Sequence, residues 1–290
     1  MATSDQWLAG ARPRTLPAAI APVLAGTGVA AYLDASVWWK ALLALVVSVA
    51  LQVGVNYAND YSDGIRGTDA QRVGPVRLVG SGVAQPAEVK RAALLSFGVA
   101  CVAGLVLALT TSYWLVLIGA VCVAAAWFYT GGKQPYGYHA LGEVMVFVFF
   151  GLVAVVGTTF VQTGTLPLAS WYAGAGVGAL ACAILVANNL RDVPTDREAG
   201  KRTLAVVLGD EQTRFLFAFL VGLAAIMLLG IVLVTSAWAL VAFAFLIPVT
   251  PALRGVLGGA GGRDLVPVLQ AVGLAELVYA AGIFLALVTG

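Results

Sequence analysis

Charge is what this sequence has least of. Its sixteen Lys and Arg and fourteen Asp and Glu are only 10% of 290 residues, and His139 is the one histidine. Soluble domains carry about 25% charged residues, and a chain of this length needs that polar cover for its core. A soluble enzyme is therefore excluded. A net charge of +2 offers no basic face to a phosphate backbone, which excludes nucleic-acid binding. Cys101, Cys122 and Cys182 are too few for a disulfide scaffold, and each lies in an apolar run where a thiol behaves as a small hydrophobe. A single histidine at a span boundary reads as structural and builds no metal set. No Walker loop, Gly-x-Ser-x-Gly or Cys-x-x-Cys occurs.

What is present is apolar length. Hydrophobic residues make up 61% of the chain, 34 glycines come on top, and the mean hydropathy is +0.95. A membrane helix takes about 20 mostly apolar residues. Nine runs qualify: 16–33, 39–58, 92–110, 113–130, 141–160, 169–190, 215–234, 237–252 and 265–287. The expectation is an all-α polytopic membrane bundle of nine transmembrane helices forming one domain over 1–290. Pro17 and Pro22 are expected to bend the first span, and Pro248 and Pro251 leave the end of the eighth open. The N-terminus has the positive-then-apolar order of a leader, but with eight further spans behind it we read it as the first helix.

The basic residues segregate. On this layout only Lys40, of sixteen Lys and Arg, lies on the side away from the N-terminus. The positive-inside rule then puts the N-terminus in the cytoplasm of a cell (plasma) membrane protein and, after nine spans, the C-terminus outside. The outward loops are short. The long cytoplasmic ones, about 59–91, 131–140 and 191–214, are where active-site groups are expected.

Spans two and six end alike. Asn56-x-x-x-Asp60 is followed by Asp63 and Asp69, and Asn188-x-x-x-Asp192 by Asp196. On a helix, i and i+4 share one face, although Pro194 stands against helical geometry reaching Asp196. Their equivalent places imply two four-helix pseudo-repeats of like orientation plus one helix. Carboxylates gathered this way repel unless cations share the site. Mg²⁺ takes oxygen ligands, one or two carboxylates plus substrate phosphates, so facing clusters suit a Mg²⁺-bridged diphosphate. Intramembrane Asn and Asp are costly and functional by default. Cations for phosphate are at hand in Arg72, Arg77, Lys133, Lys201 and Arg202, with Tyr129 in the Gly- and Tyr-rich loop that carries Lys133. Glu276, midway along the last span, has no role in this scheme.

With Arg12-Pro-Arg-Thr-Leu-Pro17, Asn59-Asp-Tyr-Ser-Asp-Gly-Ile-Arg-Gly-Thr-Asp69, Gly74-Pro-Val-Arg77 and Asn188-Asn-Leu-Arg-Asp-Val-Pro-Thr-Asp196 leading into Gly200-Lys-Arg-Thr-Leu204, the chain resembles the UbiA superfamily of intramembrane aromatic prenyltransferases along nearly its whole length. Within it, the naphthoate branch is the nearest likeness. The resemblance implies Mg²⁺-dependent transfer of a polyprenyl group from polyprenyl diphosphate, its chain among the helices, to 1,4-dihydroxy-2-naphthoate with loss of CO₂, giving demethylmenaquinol for menaquinone biosynthesis. It implies Asn56, Asp60, Asn188, Asp192 and Asp196 as Mg²⁺ ligands, with Asp63 a further candidate. Arg72, Lys133 and Lys201 or Arg202 would neutralise the diphosphate, with Arg77 and Tyr129 beside them. The superfamily pattern often continues Asn-x-x-x-Asp-x-x-x-Asp; here Gly64 stands at the last place, so Asp63 or Asp69 would complete the cluster or serve as base. Two alternatives stand beside this reading: another aromatic acceptor such as 4-hydroxybenzoate, and a secondary transporter. Against the transporter, the acids lie near the cytoplasmic face instead of the midplane. A CDP-alcohol phosphotransferase would need Asp-Gly-x-x-Ala-Arg, but Asp63-Gly64 is followed by Ile65-Arg66.

Overall fold

The computed structural model describes residues 2–67 and 77–290. Among them the chain is all helical, apart from one isolated bridge between His139 and Arg202. We label the helices α1 (Ser4–Ala11), α2 (Pro17–Tyr32), α3 (Trp38–Arg66), α4 (Pro86–Thr110), α5 (Trp114–Phe128), α6 (Gly142–Thr163), α7 (Leu168–Glu198), α8 (Leu204–Leu208), α9 (Asp210–Val234), α10 (Ala237–Leu257) and α11 (Gly262–Thr289).

Local chemistry explains the boundaries. Thr3 and Gln6 form a capping box that starts α1. A second box starts α4, where the Gln85 N–H donates to Glu88 Oε2 at 3.0 Å and Pro86 takes the first turn, a position that needs no amide donor. Gly67 ends α3 in the left-handed conformation, φ 72°.

Seven helices are long and apolar enough to cross a membrane, and the pair Ser4–Thr15 plus Pro17–Tyr32, bent by 49°, makes an eighth. The ninth expected span is α5, which is only 15 residues, about 22 Å at ~1.5 Å per residue. By length and composition the described residues thus give seven such helices, or eight with the bent pair, and α5 falls below that length. The bend falls at Leu16, ahead of Pro17, while Pro22 lies inside α2. In the eighth run, Ala237–Phe245 winds as a tighter 3₁₀ helix and the α-helix begins at Leu246, accommodating both prolines.

The largest core lies between α2, α7, α9, α10 and α11, with Leu180, Phe217, Leu228, Phe245, Tyr279 and Ile283 fully enclosed. α3 packs along α4 and has its own smaller clusters at each end. Midway along α6, Phe147–Val153 is a π-helix. There Gly151 touches backbone: a Cβ on it would lie 2.5 Å from the Gly174 carbonyl oxygen and 2.6 Å from Gly178 Cα. α5 buries no side chain.

The two ends of the bundle differ in chemistry. Trp38, Tyr113, Trp114 and Trp238 stand exposed at one end, as aromatic residues do at a membrane interface. Lys40 is tied down there: its ammonium donates to the Thr110 carbonyl at 3.2 Å and to Thr111 Oγ1 at 2.9 Å, capping the C-terminus of α4. Apart from Glu276, midway along α11, the buried acids among the described residues gather at the opposite end.

Candidate active site

α3 and α7 run past the apolar stretch that spans the bilayer, and their extra turns carry the polar residues. Gln52, Asn56, Asn59, Asp60 and Asp63 are all buried on α3, and they sort onto two lines.

Asn56 and Asp60 form the first line, one helical turn apart. The Asn56 amide donates to the Ala11 carbonyl at 2.9 Å and to Thr15 Oγ1 at 3.0 Å, and the Gln52 amide also reaches Thr15 Oγ1, at 2.9 Å. This N-terminal hook is set by Arg12, a non-glycine residue at φ 56° that ends α1 ahead of the 3₁₀ turn Pro13–Thr15; such a conformation costs about 1–2 kcal/mol. Both oxygens of Asp60 accept backbone amides, Leu78 N–H at 2.8 Å and Val79 N–H at 3.0 Å. These two residues, expected among the metal ligands, thus hold backbone on either side of α3.

The second line is Asn59 and Asp63. Thr130 donates its hydroxyl to Asn59 Oδ1 at 2.7 Å. Tyr138 donates to Asp63 Oδ1 at 2.6 Å, while Lys201 Nζ and an Arg77 guanidinium nitrogen stand 3.6 and 3.8 Å from Asp63 Oδ2. Lys201 also lies over the Tyr138 ring, 4.7 Å from its centre. The Lys201 amide bonds the Asp196 carbonyl at 2.8 Å, which ties this cluster to the end of α7. Arg66 donates to the carbonyls of Thr130 and Gly132 and faces the Tyr138 ring. A buried carboxylate left alone would cost several kcal/mol; here two cations and a phenol surround it.

α7 continues through Pro194 to Glu198, so the helix does reach Asp196. The proline removes one amide donor, yet packing carries the helix past it, and Thr195 Oγ1 donates to the Asp192 carbonyl at 3.0 Å. Asn188, Asp192 and Asp196 therefore lie on successive turns. Arg191 grips Asp192 with two parallel bonds, Nε to Oδ1 at 2.7 Å and Nη2 to Oδ2 at 2.8 Å, and Nη2 also reaches Asn188 Oδ1 at 2.8 Å. On the neighbouring line, the Asn189 amide donates to Glu143 Oε1 at 2.9 Å.

Of the cations expected at phosphate, Lys201 and Arg77 reach the cluster, while Lys133 and Arg202 are exposed. Asp69 and Arg72 lie outside the described residues. Tyr129 packs edge-on against Tyr136, with ring centres 5.5 Å apart. Burial pushes the Tyr136 phenol up, and its hydroxyl donates to the Ala125 carbonyl at 2.7 Å. Sequence reasoning missed Thr130, Tyr138, Arg66, Glu143 and Asn189. Thr130 and Tyr138 flank the loop it had singled out, so their hydroxyls were findable there; nothing local marks Glu143.

Among the described residues no three His, Cys, Asp or Glu side chains converge as a metal set. The donors at the ends of α3 and α7 are carboxylate and amide oxygens, with no thiolate, and the ring Nδ1 of His139 is engaged by the Pro135 carbonyl at 2.9 Å. An all-oxygen set of this kind fits a hard divalent cation such as Mg²⁺.

Comparison with known proteins accords with this arrangement. Residues 19–256 match the UbiA prenyltransferase family. The chain is 55% identical over 293 residues to the 1,4-dihydroxy-2-naphthoate octaprenyltransferase of Mycobacterium tuberculosis, covering all of this chain and 99% of that one. It is 39% identical over 225 residues to the Escherichia coli protein of the same name, covering 73% and 71% of the two chains. A UbiA homolog from Archaeoglobus fulgidus, solved bound to GPP and Mg²⁺, has the same fold: the TM-score is 0.73 at 16% identity over 98% of this chain and all of that one. With a family match across most of its helices and a full-length relative at this identity, the chain belongs to the UbiA prenyltransferase family.

Proposed function

We propose that this multi-pass membrane protein transfers a polyprenyl group from polyprenyl diphosphate to 1,4-dihydroxy-2-naphthoate, releasing pyrophosphate and CO₂ and yielding demethylmenaquinol. The observation that carries this reading is the full-length 55% match to a protein named for that acceptor. The buried acids and cations at one end of α3 and α7 support the same chemistry.

Asp63, Asn188, Asp192 and Asp196 are the residues we assign to Mg²⁺, which when bound neutralises diphosphate oxygens as charge builds on the leaving group. Lys201 and Arg77 supply fixed positive charge at the same place. Arg191, now on Asp192 and Asn188, is the third cation within reach of these donors. Asp60 and Asn56 hold the Leu78–Val79 backbone and the N-terminal hook against α3, fixing the walls. The surrounding apolar helices keep water from the allylic cation, and the electron-rich ring attacks it. The new carbon–carbon bond takes the place of the ring's bond to its carboxylate; that bond's electron pair returns to the ring as CO₂ leaves. The segregation of all Lys and Arg except Lys40 supports a cytoplasmic site in the cell membrane with the N-terminus inside; counting α5 as a short ninth crossing puts the C-terminus outside.

The test is a membrane assay with 1,4-dihydroxy-2-naphthoate, a polyprenyl diphosphate and Mg²⁺, comparing wild type with Asp63→Asn and Asp192→Asn. The expected result is a decarboxylated, prenylated naphthoquinol that disappears with EDTA and falls at least a hundredfold in both variants. A wild type that prenylates 4-hydroxybenzoate but not the naphthoate would overturn the acceptor. A wild type that prenylates nothing would overturn the reaction.

A further inference from the structure

Lys40 is the one Lys or Arg on the side away from the N-terminus, and no part of the reaction described above uses it. Its ammonium carries three donors. One goes to the Thr110 carbonyl at 3.2 Å and one to Thr111 Oγ1 at 2.9 Å, while the Trp39 ring centre lies 5.6 Å away. No carboxylate is among these partners, Asp34 of the neighbouring loop included. Among the described residues the charge therefore stands unbalanced, with one N–H left to give. A cation on this side also runs against the distribution of the other fifteen.

The two threonines that hold Lys40 line a groove of about 930 Å³ between the end of α4 and the start of α5, a volume within the ~300–1,000 Å³ of ligand sites. Ser112 continues its polar rim, and Leu109, Val116, Leu117 and Ala120 give it an apolar floor. Tyr113 and Trp114, also in its lining, are exposed, which sets the rim at a membrane interface. From Trp114 to Ala120 the floor descends about 9 Å along the helix, within one leaflet's share of a ~30 Å hydrocarbon layer. The chemistry selects an occupant. A soluble anion would leave the floor uncovered, and a neutral lipid or prenyl chain would leave the cation unanswered. A second copy packed symmetrically on this face would bring another Lys40 toward the first. A phospholipid with a net negative headgroup answers both the cation and the floor.

We propose that this groove binds one anionic phospholipid from the leaflet at this end, its phosphate on Lys40 and the Ser112 hydroxyl and one acyl chain along α5. The inference needs only that the chain spans a membrane; it is independent of the acids on α3 and α7 and of the acceptor. Since α5 encloses no side chain of its own, the bound acyl chain supplies apolar contact between α4 and α5 that the protein does not. The lipid is then part of the packing of this corner.

The experiment uses the purified full chain in detergent micelles doped with a phosphatidylglycerol that carries a photoactivatable group on one acyl chain, the cross-linked residues being mapped by mass spectrometry. Wild type should be labelled within 108–120, and unlabelled phosphatidylglycerol should displace the label at least tenfold more effectively than phosphatidylcholine of the same chains. In Lys40→Gln, which keeps a donor for the threonines without the charge, that advantage should fall to within twofold; Lys40→Arg should retain it. Melting temperatures show that both variants are folded, and the wild-type competition needs no variant. Equal displacement by the two lipids in wild type, or an undiminished advantage in Lys40→Gln, would overturn the inference. So would displacement by inorganic phosphate, which would make the rim a site for a free anion, or by a polyprenyl diphosphate, which would give the groove to the substrate's tail. Cross-linking of this segment to a second copy in place of lipid would overturn it as well.

Discussion

Lys201 Nζ stands 3.6 Å from Asp63 Oδ2 and 4.7 Å from the centre of the Tyr138 ring that donates its own hydroxyl to the other oxygen of that carboxylate. One ammonium therefore joins the end of α3, the loop before α6 and the segment after α7. A charge placed this way is available to an incoming anion without being free in its absence.

Replacing Lys201 with Met removes that charge while keeping the apolar stem. Arg77 and Tyr138 still serve Asp63, so folding is expected to survive. The expected cost falls on the allylic diphosphate, with its KM raised about tenfold, on the order of 1.4 kcal/mol. Steady-state kinetics with that substrate varied, at saturating acceptor, checks it.

Asp60 is expected to act through backbone. Asp60→Ala leaves the Leu78 and Val79 amides without their acceptors and should loosen the segment that Leu78 anchors in the core. Trypsin cleavage after Arg77 should then accelerate about tenfold over wild type, read by mass spectrometry of timed digests. An unchanged rate would show that the two bonds do not hold this segment.

Gly151 has no room for a side chain. Gly151→Val would push α6 away from the Gly174 carbonyl and Gly178, and overpacking of this kind costs about 1–3 kcal/mol or more. A fall in melting temperature of several degrees is expected in the purified protein, with the milder Gly151→Ala between wild type and Val.

Glu276 is fully buried in α11, and neither carboxyl oxygen has a partner among the described residues. Replacing an unsatisfied buried polar group by an apolar one of similar shape is neutral or stabilising. Glu276→Met should therefore raise the melting temperature while leaving prenyl transfer within a few-fold of wild type. A more stable but inactive variant would assign that carboxyl to the reaction.

The sequence made the architecture legible because apolar runs report helices directly: each of the nine runs falls on a helical segment. Crossing length was harder to read. The run ending at Thr130 looks long enough, yet α5 stops at Phe128 because the next residues turn into the Gly131–Gly132 loop. The acidic residues of the site were legible by type and helical spacing, but which of them face one another was not. Spacing places Asn56 and Asp60 on one line as well as it places Asn59 and Asp63. Only the fold shows that the first line meets backbone and the second meets Lys201, Arg77 and Tyr138. Pro194 misled for the opposite reason, since a local rule about proline yielded to the packing of α7 in the largest core. Glu143 carries no local signature at all; its partner, Asn189, lies on another helix.

Among the described helices of ten residues or more, α5 is the shortest, and it has no side chain enclosed by its neighbours. At about 22 Å it falls short of a hydrocarbon layer of ~30 Å, so acyl chains packed against it must shorten or the layer must pucker, at a fraction of a kcal/mol for each ångström. This corner of the molecule is thus a gauge of bilayer thickness. Because α5 leads directly into the Thr130–Tyr138 loop over Asp63, acyl-chain length in the surrounding lipid or detergent is a variable to which the reaction itself should respond.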